Sequence, residues 1–401
     1  GMKNFLLAVI VLTLASSCET TDKQLSRRAN RLHQKFLTVD THCDTPLNLM
    51  GDDFELGEKN ELGCVDFPRM VEGGLDAEFF AVFIVQGPRN DSAFNEAHRT
   101  TLEILDTIYN NIERNASLAE LAYSPEDAFR IKREKKRAIF IGLENGYPIG
   151  TDLGRVRHYY DLGARYITLC HSGNNDICDS STDPNGPENN GLSPFGEEVV
   201  KEMNRLGMMV DVSHISDKSF YDVIAVSEAP VIASHSSCRA LCSSPRNLSD
   251  DMLQALKANG GVIQICILSN YIKTPEPNPE LEYNLSELVE RYGDPANLPE
   301  EDIENYKKER REIYDKYRRL ATVSDVVDHI DHAVQIIGIN HVGIGTDFDG
   351  GGGVEGCRSV AEMKNITIEM LRRGYTRQEI KKIWSGNLMR VFNEVQALAK
   401  Q

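Results

Sequence analysis

Residues 36–46 read FLTVDTHCDTP, a short β-rich apolar run from Phe36 to Val39 that leads into His42 and Asp44. In an extended chain, positions i and i+2 face the same side, so these two side chains can reach one point in space. Seven further runs of the same kind follow: EFFAVFIVQ (78–86), AIFIGLE (138–144), RYITLCH (165–171), MMVDVSH (208–214), PVIASH (230–235), GVIQICI (261–267) and HVGIGTDFD (341–349). Helical patterns lie between them, at 95–115, at PFGEEVVKEMNRLG (194–207) with Pro and acidic residues at its start, and at SDDMLQALKANGG (249–261) with a Ser cap and a terminal Gly. β-rich runs alternating with helices are the pattern of parallel βαβ units, and eight of them predict an α/β fold of the (β/α)8 barrel type.

The rest of the chain fits one such domain over residues 19–401. One segment breaks the rhythm: residues 274–320 are highly charged and too long for a plain loop, and they read as a helical insertion after strand seven, either a lid, an oligomer contact or a solvated decoration. A composition of 41% hydrophobic and 26% charged residues is that of an ordinary globular protein, and a net charge of −17 argues against nucleic acid or an anionic membrane surface as partner. At the N-terminus, MKNFLLAVIVLTLASSC has an apolar run from Phe5 to Leu14 that is too short to span a bilayer and matches a secretory signal. Small residues ending on Cys18 resemble a bacterial lipoprotein signal over residues 1–18, which implies export to the cell envelope or periplasm with a lipid anchor at Cys18. The eight cysteines after it form no CxxC pair and read mainly as buried small hydrophobes.

Barrel active sites form where strands end. Strand one ends in His42 and Asp44, strand three in Glu144, strand four in His171, strand five in His214, strand six in His235, and strand eight in Asp347 and Asp349. All of these fall at one rim, whereas His33, His98, His158, His329, His332 and His341 scatter over helical stretches and the opposite end. Imidazoles with carboxylates and no thiolate suit Zn²⁺, with Mn²⁺ or Co²⁺ as substitutes. Three His and two carboxylates exceed the needs of a single catalytic zinc, so two ions are expected, with His42, Asp44 and Glu144 on one, Glu144, His214 and His235 on the other, and Glu144 as the bridge. The glycine run 349–353, DGGGG, lacks the spacing of a phosphate loop and reads as a flexible loop. No Ser-His-Asp or Cys-His nucleophile pattern is present.

The motifs VDTHCD, GLENG, TLCHSGNND, DVSHIS, ASHSSCRALCSSPRN and HVGIGTDFDG, in this order across nearly the whole chain, closely resemble the renal (membrane) dipeptidases, a family of zinc metallopeptidases. The resemblance implies a barrel with two zinc ions that hydrolyses dipeptides, often as a homodimer. Carried over motif by motif, the metal ligands are again His42, Asp44, Glu144, His214 and His235. His171 matches a histidine that contacts substrate and the developing oxyanion, Arg246 an arginine that holds the substrate's C-terminal carboxylate, Asp347 the aspartate that handles the proton, and Tyr271 a substrate-contacting tyrosine. The bland alternatives are a turn cap for Asp347, an orienting role for His171, and a surface ion pair with Asp250 or Asp251 for Arg246. On this reading a metal-bridged hydroxide attacks the amide, since zinc lowers the pKa of bound water from 15.7 to roughly 7. Two other functions are weighed against it: another amidohydrolase acting on N-acyl amino acids or cyclic amides, whose barrels usually begin with HxH and often use a bridging Lys, and a non-catalytic lipoprotein that binds peptides or metal. The HxD start and the absence of a strand-end Lys weaken the first.

Overall fold

The first β-rich run forms β1, Val39–Cys43, and the others form β2 (Ala77–Phe83), β3 (Arg137–Glu144), β4 (Ala164–Thr168), β5 (Met209–Asp211), β6 (Ile232–Ser236), β7 (Val262–Ile265) and β8 (Val342–Ile344). The computed structural model describes residues 21–51 and 53–399; the signal-like segment 1–18, with Cys18, lies outside them. Each strand pairs in parallel with the next. β8 returns to β1 through the bridge Cys43–Phe348, where Asp44 N donates to Phe348 O (2.7 Å) and Asp347 N to His42 O (2.9 Å). The result is a nearly closed (β/α)8 barrel. A short strand, Ala119–Leu121, pairs outside this order with the start of β3.

Helices cover the outside of the barrel, which is why the strands are continuous apolar runs rather than alternating ones. The three expected helices are Asp91–Arg114, Pro194–Leu206 and Asp250–Asn259. The first begins four residues before the expected start because Asn90 caps it, its side chain accepting from Ala93 N at 3.0 Å. Ser193 and Ser249 cap the other two, which end at Gly207 and Gly260 in the left-handed conformation.

Two apolar cores result. The larger fills the layer between strands and helices and includes Phe80, Val82, Ile139, Ile141, Leu143, Ile263 and Ile265. The second lies at the N-terminal ends of the strands, where Val39, Phe79, Phe140, Tyr166, Ile232 and Val262 meet Leu388, Val391 and Phe392 of the C-terminal helix Asn387–Ala397. After β7 the insertion forms two helices, Pro279–Tyr292 and Glu300–Tyr317. They make an antiparallel hairpin: Asn278 Nδ2 donates to Tyr317 O (2.7 Å) at one end, and Tyr292 Oη to Glu309 (2.7 Å) at the other. Leu288 and Tyr306 are its buried side chains.

All cysteines among the described residues are free thiols, and all but Cys64 are buried. No helix among those residues is long and apolar enough to cross a membrane.

Candidate metal centre

The strand ends converge on one oxygen. Glu144 Oε1 lies 3.1 Å from His214 Nε2, 3.4 Å from His235 Nε2 and 3.5 Å from His42 Nε2. His42 Nε2 is in turn 3.5 Å from Asp44 Oδ2 and 3.9 Å from Asp347 Oδ1. Both trios read from the strand ends, His42–Asp44–Glu144 and Glu144–His214–His235, bring their ligand atoms within 4.8 Å of one another, and a third set, His42–His235–Asp347, does so as well. Every one of these residues is buried.

Local backbone geometry creates this convergence. Asp40 pairs with Glu78 and Cys43 with Phe80, so Thr41 and His42 together oppose Phe79 in a bulge. Asp40 holds the bulge by accepting from His42 N (3.3 Å) and from Thr346 N (2.8 Å) on the β8 side. His214, Asp347 and Asp349 have φ of 73°, 61° and 65°, strained values for residues with side chains and of the kind that cluster at functional sites. Gly350 is required beside them: a Cβ there would lie 2.0 Å from Asp44 Oδ2 and 2.3 Å from Asp347 Oδ1. Gly352 N also donates to Asp347 O at 2.7 Å. The glycine run expected to be a flexible loop is therefore a packed turn that lets two carboxylates approach.

Hydrogen bonds also set the tautomers. Tyr166 Oη donates to Thr41 O (3.1 Å), so its bond to His42 Nδ1 (2.8 Å) must be donated by the imidazole, leaving a lone pair on Nε2. In the same way Ser234 Oγ donates to Asp211 Oδ2 (2.6 Å) and accepts from His235 Nδ1 (2.8 Å). Thr168 Oγ1 completes the chain by donating to Asp211 Oδ2 at 2.5 Å. His42 Nε2 and Asp44 Oδ1 are buried without a hydrogen-bond partner, and His214 Nε2 faces His235 Nε2 at 2.9 Å. Lone pairs and carboxylate oxygens aimed at common points out of water are costly unless a cation meets them. These residues therefore fit divalent metal.

The electrostatics separate the three imidazoles: burial alone would lower His42, but its contacts with Tyr166, Glu144 and Asp44 outweigh that and hold it well above its usual value, so a metal must displace the Nε2 proton before that lone pair is free. Burial, with the Arg246 charge second, holds His214 well below its usual value; burial, with the His42 charge second, does the same for His235. Neutral imidazole is the form that binds metal. Burial alone would raise Glu144, but the charge of a protonated His42 and the close imidazoles of His214 and His235 outweigh it and keep the carboxyl well below the ordinary range. Burial and then the Glu144 charge push Asp44 up to about 6, and burial with the Asp44 charge raises Asp347 well above the carboxylate range.

The remaining site residues surround this cluster. His171 is at the rim, its Nε2 4.0 Å from Glu144 Oε1 and its ring 4.2 Å from that of His214. Arg246 is 4% exposed, donates to His235 O (3.0 Å) and lies over the Tyr271 ring at 5.3 Å. It forms no ion pair with Asp250 or Asp251: Asp250 pairs with His332 at 2.7 Å, and Arg246 Nε is buried without a partner. Asp349 stays out of the cluster, accepting from Thr45 Oγ1 (2.7 Å) and Cys64 N (2.9 Å). The scattered histidines are bound elsewhere, as His33 is to Gly74 O and Thr367 and His329 to Cys238 N and Ile272 O.

Over residues 26–401 the sequence matches the family described as membrane dipeptidase, peptidase family M19. The chain belongs to peptidase family M19. It is 34% identical over 347 residues to dipeptidase tcpJ of Claviceps purpurea, covering 85% of this chain and 71% of that one. It is 33% identical over 400 residues to dipeptidase verJ of Clonostachys rogersoniana, covering 96% and 91%. The crystal structure of the probable dipeptidase PvdM from Pseudomonas aeruginosa superposes with a TM-score of 0.82 at 33% identity, covering 94% of this chain and all of that one. The M19 chain is accordingly a hydrolase of a metallopeptidase family, and its clustered His, Asp and Glu residues suit metal use.

Sequence reasoning passed over the residues that hold this M19 centre in shape: Tyr166, Ser234, Asp211, Thr168, Asp40 and Gly350. The available signal was polar residues inside apolar strand runs, such as Asp211 in MMVDVSH and Ser234 in PVIASH, both fully buried.

Proposed function

We propose that the chain is a dinuclear zinc dipeptidase in which His42, Asp44 and Glu144 would hold one ion and Glu144, His214 and His235 the other. The observation that carries this reading is the meeting of three imidazole Nε2 atoms at 3.1–3.5 Å around Glu144 Oε1. When bound, the pair of ions supplies acidification of a water and polarisation of the scissile carbonyl. The chain's own groups do the rest. Asp347, whose affinity for a proton is raised by burial and the Asp44 charge, takes the proton as a carboxylate and returns it from the resulting acid to the leaving nitrogen. His171, at the rim beside Glu144, donates to the oxyanion. Arg246, buried without a carboxylate partner and stacked on Tyr271, receives the substrate's C-terminal carboxylate through its planar fork. That clamp favours dipeptides, whose free carboxylate lies one residue from the bond to be cut.

Metal analysis of the purified protein, combined with hydrolysis of Gly- and Ala-containing dipeptides before and after chelation, tests the proposal. We expect about two zinc equivalents, activity abolished by chelator and restored by Zn²⁺, Mn²⁺ or Co²⁺. Full activity in metal-free protein, or no hydrolysis after zinc is restored, rejects it. Export with lipidation at Cys18 belongs to the same proposal, supported by the apolar run Phe5–Leu14 and the small residues before the cysteine; loss of membrane fractionation in Cys18→Ala is the expected result. A homodimer is expected by sedimentation.

A further inference from the structure

A groove of about 490 Å³ opens beside the metal centre, between the ends of β1 and β2 and the helix Asp91–Arg114. Its walls are almost wholly apolar, and Leu47, Met50 and Val85, on its lip, are 44%, 49% and 71% exposed. Large aliphatic side chains grouped at such exposure on an acidic protein call for an apolar occupant. Phe83 joins the groove to the site: it lines the groove, its backbone is in register with Glu144, and its ring lies 4.6 Å from that of His171. Leu47 does the same from β1, its N–H bonded to Asp44 O at 2.9 Å.

Barrel symmetry decides which part of a substrate reaches this groove. Arg246 follows β6 and donates to His235 O of that strand, and in an eight-stranded barrel β6 lies diametrically across from β2. A dipeptide whose carboxylate is held at Arg246 and whose amide lies over the central carboxylate Glu144 must direct its N-terminal residue toward β1 and β2. We propose that the groove receives the side chain of the N-terminal residue and makes the enzyme selective for dipeptides that begin with a large apolar residue. The inference rests on the dipeptidase reading with Arg246 as the clamp.

The side chain in the groove takes no part in the bond changes, so contacts that are equally strong before and at the transition state act through KM more than kcat. The zinc-loaded wild-type is assayed on Gly-Ala, Leu-Ala and Phe-Ala. The expected kcat/KM is at least about tenfold higher for Leu-Ala and Phe-Ala than for Gly-Ala, the scale of a filled apolar pocket, with the gain in KM. Ala93→Phe, which fills the groove from the helix, and Val85→Asp, which puts a charge on its exposed lip, should each bring that ratio close to one. A ratio needs no correction for the fraction of active enzyme, and Val85 is exposed enough for the second variant to fold. Equal kcat/KM on all three substrates in the wild-type, or a ratio unchanged in both variants, overturns the assignment. A ratio unchanged while Ala93→Phe turns a dimer into a monomer also overturns it and makes the groove a contact between copies. If no dipeptide is cleaved at all, the dipeptidase reading falls first, and the groove's role with it.

Discussion

The two ends of the barrel interior are built from opposite chemistry on the same strands. On β3, Ala138 and Phe140 belong to the dry core at the strand starts, while Glu144, four residues beyond Phe140, receives three imidazoles. On β6, Ile232 is core and Ser234 and His235 belong to the centre. An aromatic column links the ends: Phe392 from the C-terminal helix packs on Phe140 (5.5 Å), Phe140 on Phe79 (4.6 Å), Phe79 on Tyr166 (5.5 Å), and Tyr166 bonds His42. Tyr166 is the boundary, its ring in the dry half and its hydroxyl in the polar half. Gly142 makes room for it, since a Cβ there would lie 2.1 Å from the ring. The contrast implies that stability and chemistry can be damaged separately, except at the boundary.

Asp347→Asn should show the largest effect at the polar end. Turnover should drop by about 10²–10⁴, the scale of general acid/base loss, while bound zinc and melting temperature stay close to wild-type. Retained kcat would remove Asp347 from its role. At the dry end, Phe140→Ala should destabilise the fold by about 3–5 kcal/mol in denaturant titrations, yet leave the metal stoichiometry of the folded fraction unchanged. Metal loss in the folded fraction would mean that the halves are not separable. Tyr166→Phe addresses the boundary: the ring and its packing remain, the hydroxyl that orients His42 goes, and apparent zinc affinity should weaken by about 10–100-fold. Unchanged affinity in a competition titration would mean that packing alone orients the imidazole.

The difference between the two ends also explains what could be read from sequence. Strand order and the rim positions of His42, Asp44, Glu144, His214 and His235 follow from periodicity, because βαβ topology carries every strand's C-terminal end to one face. The bulge at Thr41–His42 is not legible, because it depends on register against Phe79 and on Asp40 reaching Thr346, more than three hundred residues away. Spacing left the glycine run looking loose, and its purpose emerges only when Asp44 and Asp347 are seen on either side of Gly350. The insertion was legible as helical from its charge and length, but its hairpin form depends on pairings such as Tyr292 with Glu309.

The smallest effect sharpens the comparison through pH. Burial first and the Glu144 charge second set the Asp44 carboxyl at about 6 in the metal-free protein, above the ordinary 3.8. A carboxyl raised on folding favours the protonated native state, so its contribution to stability is complete below 3.8 and is lost as pH rises through about 6. Metal reverses the preference, because only ionised Asp44 is a ligand. Zinc affinity should therefore fall by at least about tenfold per pH unit as pH drops below about 6, since Asp44 and a protonated His42 must both lose a proton, and the zinc-induced gain in melting temperature should grow between pH 4 and pH 7. Phe140→Ala, which lowers the stability of both forms, should leave the position of that rise unchanged, whereas Asp44→Asn should flatten it. A slope between pH 4 and pH 6 that is the same in Asp44→Asn as in the wild-type would mean that Asp44 keeps its solution pKa and that the polar end is wetter than its burial implies.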